Sequence, residues 1–335
     1  KSFWGAMLGF FLLSAETAVL APAKRGILLE YVGPQRLSRW VGYMEMFNIT
    51  AILVGSFAGG ALFSHWFTAG GDPWQAALNT AWVLTALAVI AWAFFQVADP
   101  TESKSAEPFR WSLWVRHFTD IFEVQRTRPL WRATMGICFF YGVGGYATVL
   151  LQQVGYELTH GGPAAALTSS KLLLMVGFGT MVGNLLAGLI SRRGVELGLA
   201  PLGGAMLAVA LVALGYTAPG TTQFNVLLVA IGFSSGFFLV PLYAFIQERA
   251  GDHRRGRILA GVSLLDSIAG MAAAAIYGLV ASDAALGWPV STQFLLMAAV
   301  TLAMLAYALY HLPHQTVCTV MRLFGRIFYK VRVLG

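Results

Sequence analysis

Nine long apolar segments divide this chain, and its positive charge is confined to every second gap between them. The segments run Phe3–Ala23, Trp40–Phe63, Leu78–Ala98, Leu130–Leu151, Leu167–Ile190, Leu199–Ala218, Phe224–Ile246, Ile258–Ser282 and Val290–His311. Each is about 20 residues or more, enough for a helix rising ~1.5 Å per residue to cross roughly 30 Å of hydrocarbon. Of the 22 lysines and arginines, 20 follow the first, third, fifth, seventh or ninth segment; only Lys1 and Lys171 fall elsewhere. This alternation is the positive-inside bias of a polytopic membrane protein. It predicts that the odd-numbered gaps and the C-terminus are cytoplasmic and the N-terminus is not.

The charge content points the same way. Only 11% of residues are charged against 57% hydrophobic, where a soluble domain carries about a quarter charged. The net charge of +7 sits at membrane ends, so it reads as anchoring to anionic lipid and not as a nucleic-acid surface. Cys138 and Cys318 lie far apart and suggest neither a disulfide framework nor a metal site. No cofactor is expected. The first segment lacks the basic start and small-residue cleavage site of a signal peptide, and the chain opens without Met, as a piece of a longer protein would.

The longest polar interval splits the segments three and six. It predicts four regions: residues 1–98 with three spans, a cytoplasmic linker over 99–128, six spans over 129–311, and a basic tail over 312–335. Within the linker Trp111, Trp114, Val115, Phe118, Ile121 and Phe122 recur at helical spacing, with Arg116, Asp120, Glu123 and Arg126 on the other side. That is the pattern of a helix lying in the headgroup plane. The tail repeats it, with Val317, Val320, Met321, Phe324, Ile327, Phe328 and Val331 set against Arg322, Arg326 and Lys330. Six spans after a long cytoplasmic loop match one half of a major facilitator bundle, whose halves are built of inverted three-helix repeats. Three spans before it match one repeat, as in a twelve-span transporter without its first three spans. A nine-span protein of another fold accounts for the count equally well.

Small residues at four-residue spacing (Gly5/Gly9, Gly55/Gly59, Gly179/Gly183, Gly232/Gly236) predict close helix packing. Pro22 and Pro241 read as kinks. Ionisable groups in hydrocarbon are costly and each is a functional hypothesis. Glu16 lies about 13 residues into the first segment, some 20 Å deep. Lys171 opens the fifth segment, Asn184 sits within it, and Asp266 lies two turns into the eighth. Glu45 and Asn48 are one turn apart near the basic end of the second segment, where a carboxylate could equally snorkel outward. Gln247-Glu-Arg-Ala-Gly-Asp-His-Arg-Arg-Gly-Arg257 fits a short cytoplasmic hinge. Its charges alone are also what positive-inside anchoring would give. Enzyme signatures are missing: there is no P-loop, no nucleophile elbow, and none of the six histidines has an Asp five positions on.

Four strings, in order along the chain, resemble the bacterial lysophospholipid transporter family of the major facilitator superfamily. They are Ala21-Pro-Ala-Lys-Arg-Gly-Ile-Leu28, Ile52-Leu-Val-Gly-Ser-Phe-Ala-Gly-Gly60, Val195-Glu-Leu-Gly-Leu-Ala-Pro-Leu-Gly203, and Gly236-Phe-Phe-Leu-Val-Pro-Leu-Tyr243 running through Gln247 into His253-Arg-Arg-Gly-Arg-Ile258. The resemblance implies an all-α major facilitator fold aligned to that family's fourth to twelfth spans. It implies import of lysophosphatidylethanolamine-type lipids from outer to inner leaflet of the bacterial inner membrane for reacylation. An acyltransferase domain or partner would stand on the cytoplasmic side, with the tail from Phe328 resembling the junction to it. Arg25 departs from the family, where an aromatic is commoner, and Gly261-Val-Ser263 replaces its frequent Asn pair.

On this reading Glu16, Lys171, Asn184 and Asp266 are the expected substrate contacts. Lys24, Glu45, Asn48, Gln247, Arg254 and Arg257 are the expected cytoplasmic gate. A drug or metabolite exporter of the same superfamily, or a membrane anchor for a fused enzyme, are the alternatives.

Overall fold

The computed structural model describes residues 3–68, 72–97, 119, 121–122, 124–160, 165–191, 194–251, 254–282 and 286–328. Its elements are helices: α1 (Phe3–Val32), α2 (Leu37–Thr68), α3 (Pro73–Gln96), α4 (Arg128–Leu158), α5 (Ala165–Ile190), α6 (Leu199–Gly215), α7 (Thr222–Arg249), α8 (Arg255–Ala281), α9 (Val290–His311) and α10 (Pro313–Phe328). Eight of these are long and apolar enough to cross a membrane. The ninth predicted span is the 17-residue helix α6. It still runs the length of the bundle: its start at Gly198 abuts Gln315 and Thr319, and its end at Gly215 abuts Ser291 and Leu295. It packs between α7 and α9 and exposes Met206 and Val209 on its outer face.

Local chemistry sets the ends. Pro129 occupies the first turn of α4, where its missing N–H costs nothing. Thr221 caps α7 by accepting from Phe224 N at 3.2 Å. Gly33, at φ +70°, closes α1 in the left-handed conformation that a C-terminal glycine supplies. The first predicted span ended at Ala23, yet α1 continues nine residues further. Pro22 and Pro241 both lie inside continuous helices.

α7 is the central helix, packed against α4, α5 and α6; α8 lies on α4, α9 on α6, α2 on α5, and α3 on α2. Two apolar clusters hold it together. One includes Leu37 and Val41 of α2, with Leu28, Leu29 and Val32 of α1 packed on it. The other, built around Leu150, Leu211, Phe224 and Phe294, draws on α4–α7 and α9 and on no residue of α1–α3 among those described. The first three helices thus join the core chiefly at the end bearing the Lys and Arg residues.

The glycine spacing divides in the same way. A Cβ at Gly179, Gly183, Gly232 or Gly236 would run into backbone of the facing helix, so α5 and α7 touch main chain to main chain. At Gly9, Gly55 and Gly59 a Cβ would meet nothing. The packing predicted there is absent, because no described helix comes near those faces. Gly42 and Gly188 make the close crossing of α2 with α5 instead.

The linker helix expected over Trp111–Arg126 falls mostly outside the described residues. Its described end is helical, with Val124 buried and Phe122 exposed. The tail helix forms as α10, with Val317 and Met321 exposed and Thr319 turned inward; residues 329–335 lie outside the description.

Candidate functional site

Where α1 and α2 meet α4, α7 and α8, one guanidinium gathers groups from every side. Arg25 Nε stands 3.5 Å from Glu45 Oε1, with both side chains largely buried. Its guanidinium lies over the Tyr243 ring, 4.1 Å from the centroid, a cation–π geometry strengthened where water is excluded. Its Nη1 reaches Ser263 Oγ at 3.5 Å. The Tyr243 hydroxyl lies 3.3 Å from Asp266 Oδ2 and 3.1 Å from the Tyr141 hydroxyl. It therefore donates to the carboxylate and accepts from the second tyrosine. Ser267 donates to Asp266 Oδ1 at 3.4 Å.

A second layer braces Glu45. Asn48 Nδ2 donates to Glu45 Oε2 at 3.4 Å, and Lys24 donates to Asn48 Oδ1. Nearer the helix ends, Arg255 of α8 pairs with Glu30 of α1 at 3.6 Å. Between them these contacts tie α1 and α2 to the C-terminal helices through charge and aromatic rings. A buried carboxylate or guanidinium that loses its partner becomes expensive, so the arrangement is stable only while its members stay together.

Among the described residues, several buried polar atoms have no hydrogen-bond partner: Ser38 Oγ, Asn184 Oδ1, Ser191 Oγ and both polar side-chain atoms of Gln247. Orphans of this kind are uncommon in a packed protein and call for an explanation. They lie on α2, on and just beyond α5, and on α7, with Asn184 at the crossing of α5 over Gly42 of α2.

The predicted residues distribute unevenly over this site. Lys24, Glu45 and Asn48 are brought together, and Glu45 is buried, which the snorkelling alternative would not give. Asp266 joins the same cluster through Tyr243. Gln247 is fully buried nearby, and Asn184 is buried where α5 crosses Gly42 of α2. Arg254 and Arg257 are exposed, and the buried arginine of that turn is Arg255. Glu16 and Lys171 lie on exposed faces of α1 and α5. No contact among the described residues joins them to each other or to Asn184 and Asp266.

Five residues of the cluster are not among the expected contacts: Arg25, Tyr141, Tyr243, Ser263 and Ser267. With the first span ending at Ala23, Arg25 falls outside the apolar segment and carries no intramembrane signal. The Gly33-Pro34 stop was the available signal that the helix runs on and carries Arg25 inside.

The family model of the Major Facilitator Superfamily matches residues 1–274, which takes in α1 to most of α8 and every residue of the cluster. The chain belongs to the major facilitator superfamily. Among curated members it is 32% identical over 247 residues to the lysophospholipid transporter LplT of Yersinia enterocolitica serotype O:8, covering 72% of this chain and 57% of that protein. It is 33% identical over 257 residues to LplT of Yersinia pestis strain Pestoides F, covering 74% and 58%. LplT of Yersinia pseudotuberculosis serotype O:3 gives the same figures. The chain thus spans somewhat over half the length of these relatives.

Proposed function

We propose that this major facilitator chain belongs to a lysophospholipid transporter, moving lysophosphatidylethanolamine-type lipids from the outer to the inner leaflet of the bacterial inner membrane. What carries the reading is the buried Arg25 cluster joining the two sets of helices, taken together with the similarity to lysophospholipid transporters. A single-chain lipid needs a polar route for its headgroup and an apolar one for its tail. A rocking pair of helix sets supplies both if the polar contacts closing one end can open and re-form. Arg25, Glu45, Tyr243 and Asp266, with Glu30–Arg255 outside them, form that gate, and Lys24, Asn48 and Gln247 support it. The unpartnered atoms of Asn184 and Gln247 would gain water or headgroup when the gate parts.

Glu16 and Lys171 are the proposed headgroup contacts. For Glu16, deep in its span, an exposed charge costs about 2.5–3.5 kcal/mol on insertion scales, which the cationic part of a zwitterionic headgroup would offset. Lys171 stands nearer its helix end, where the anionic part would meet it. The basic end is cytoplasmic on the positive-inside rule. Delivery there suits reacylation by an acyltransferase domain or partner on that side. A plain anchor would have no use for a costly charge cluster across its helices.

Transfer of labelled lysophosphatidylethanolamine between leaflets of proteoliposomes tests this, using the full-length gene product and normalising to folded protein. Lysolipid should move, with little transfer of its two-chain counterpart, and Glu16→Gln or Lys171→Met should slow it about tenfold through loss of a charge-assisted contact. Transport of hydrophilic solutes without lysolipid would put the protein among exporters. Normal flipping by both variants would remove Glu16 and Lys171 from the site.

A further inference from the structure

On another stripe of α7, away from the Arg25 cluster, Phe238, Leu242, Phe245 and Arg249 recur at helical spacing and line a separate cavity of about 330 Å³. Ala133 and Gly136 of α4 and Met304 and Ala308 of α9 complete its apolar wall. Gly136 keeps it open: a Cβ there would lie 2.9 Å from a Leu242 methyl group. The volume lies at the lower end of the roughly 300–1,000 Å³ typical of ligand pockets, room for one chain and not for two.

The mouth is cationic. Arg132, Arg249 and His311 line it and no carboxylate does. Arg249 is held above the Phe245 ring at 5.8 Å, and His311 sits edge-on to Tyr307 at 4.5 Å. Glu196, beside the lining residue Leu197, is already engaged by Arg322 and Thr319, so it leaves the rim positive. The rim belongs to the first two turns of α4 and the last turns of α7 and α9, ends that the positive-inside bias sets at headgroup height. α10 borders it with Gln315 and exposes Val317 and Met321, as a helix lying against lipid does.

We propose that this cavity binds one acyl chain of an anionic phospholipid from the leaflet at the basic end, with the phosphate held by Arg132 and Arg249. Basic pockets between membrane helices are suited to such headgroups. The site lies off the interface between the helix sets, so it stands or falls independently of lysolipid transport.

Native mass spectrometry of the full-length protein in a neutral maltoside tests it, with phosphatidylglycerol and phosphatidylcholine of identical chains as the added lipids. One phosphatidylglycerol should be retained in preference to phosphatidylcholine. Removing rim charge should weaken it roughly fivefold per guanidinium, or about 25-fold for R132Q/R249Q. Ala308→Phe, which fills the wall, should abolish retention of both lipids. Equal retention of the two lipids by the parent, or undiminished phosphatidylglycerol binding in either variant, overturns the proposal. So does displacement by glycerol phosphate alone, which would mark a site for a soluble anion. Arg132 and Arg249 are both exposed, so R132Q/R249Q decides the matter by itself if A308F does not fold.

Discussion

In α7, 67% of the most apolar stretch is buried inside the protein, whereas none of the corresponding stretch of α1 or α2 is. Both regions are long and apolar enough to cross a membrane, and both carry glycines four residues apart. They differ in what holds them. In lipid, apolar surface alone gives helices little reason to associate, so close backbone approach and polar contacts decide. The six helices α4–α9 use the first: Gly179, Gly183, Gly232 and Gly236 bring α5 and α7 into main-chain contact. α1 and α2 rely largely on the second, through Arg25, Glu45, Glu30 and Arg255 at one end, helped by the Gly42–Gly188 crossing. Close packing is hard to undo and repeat. A few charge contacts can be exchanged, which is what a gate requires.

The comparison breaks most readily at Arg25. Arg25→Leu strips Glu45 of its cation and removes the guanidinium from the Tyr243 ring and Ser263. Losing one member of a buried pair costs about 3–5 kcal/mol. That loss should fall on closure of the basic end, with lysolipid transfer nearly abolished while the protein still folds. The double variant Arg25→Leu/Glu45→Leu should recover part of the lost closure, read as a coupling in a double-mutant cycle.

The glycines sharpen the contrast next. Gly232→Ala forces a methyl group into the Val176 carbonyl and should destabilise by about 1–3 kcal/mol. Gly55→Ala, with open space around it, should be neutral or stabilise by up to ~1 kcal/mol through helix propensity. Thermal unfolding in detergent compares them, and equal losses at the two positions would erase the distinction.

The smallest effect belongs to the outer pair. Glu30 is partly exposed where it meets the buried Arg255, and glutamine keeps an acceptor for that guanidinium, so Glu30→Gln should cost about 1 kcal/mol. Transport should fall less than twofold in the same proteoliposome assay, and a loss as large as that of Arg25→Leu would mean the outer pair is the principal closure.

The architecture was legible because apolar length and basic gaps are local properties. All nine spans follow from them, and only the length of α6 does not: it forms 17 residues, Leu199–Gly215, of the segment read as Leu199–Ala218. Glu45, Asn48, Lys24 and Asp266 could be picked out as costly polar groups in apolar sequence. Their common partner could not, because Arg25 and Tyr243 are 218 positions apart and Tyr243 looks like any interfacial aromatic until the helices are packed. The glycine pairs show the limit from the other side: spacing marks where a close approach is possible, and only the neighbour decides whether one occurs. Gly55 and Gly232 carry the same signal with opposite surroundings.

The account rests on the Arg25 cluster closing the basic end and releasing it. Spin labels on Gln35→Cys and Gly256→Cys, both exposed positions flanking that end, would report the separation of the helix sets once Cys138 and Cys318 are replaced. Pulsed dipolar spectroscopy of the full-length protein should give a short, narrow distance distribution. Lysolipid should populate a longer one, and Arg25→Leu should favour the longer one without any lipid. An unchanged short distribution in folded Arg25→Leu protein would contradict the account.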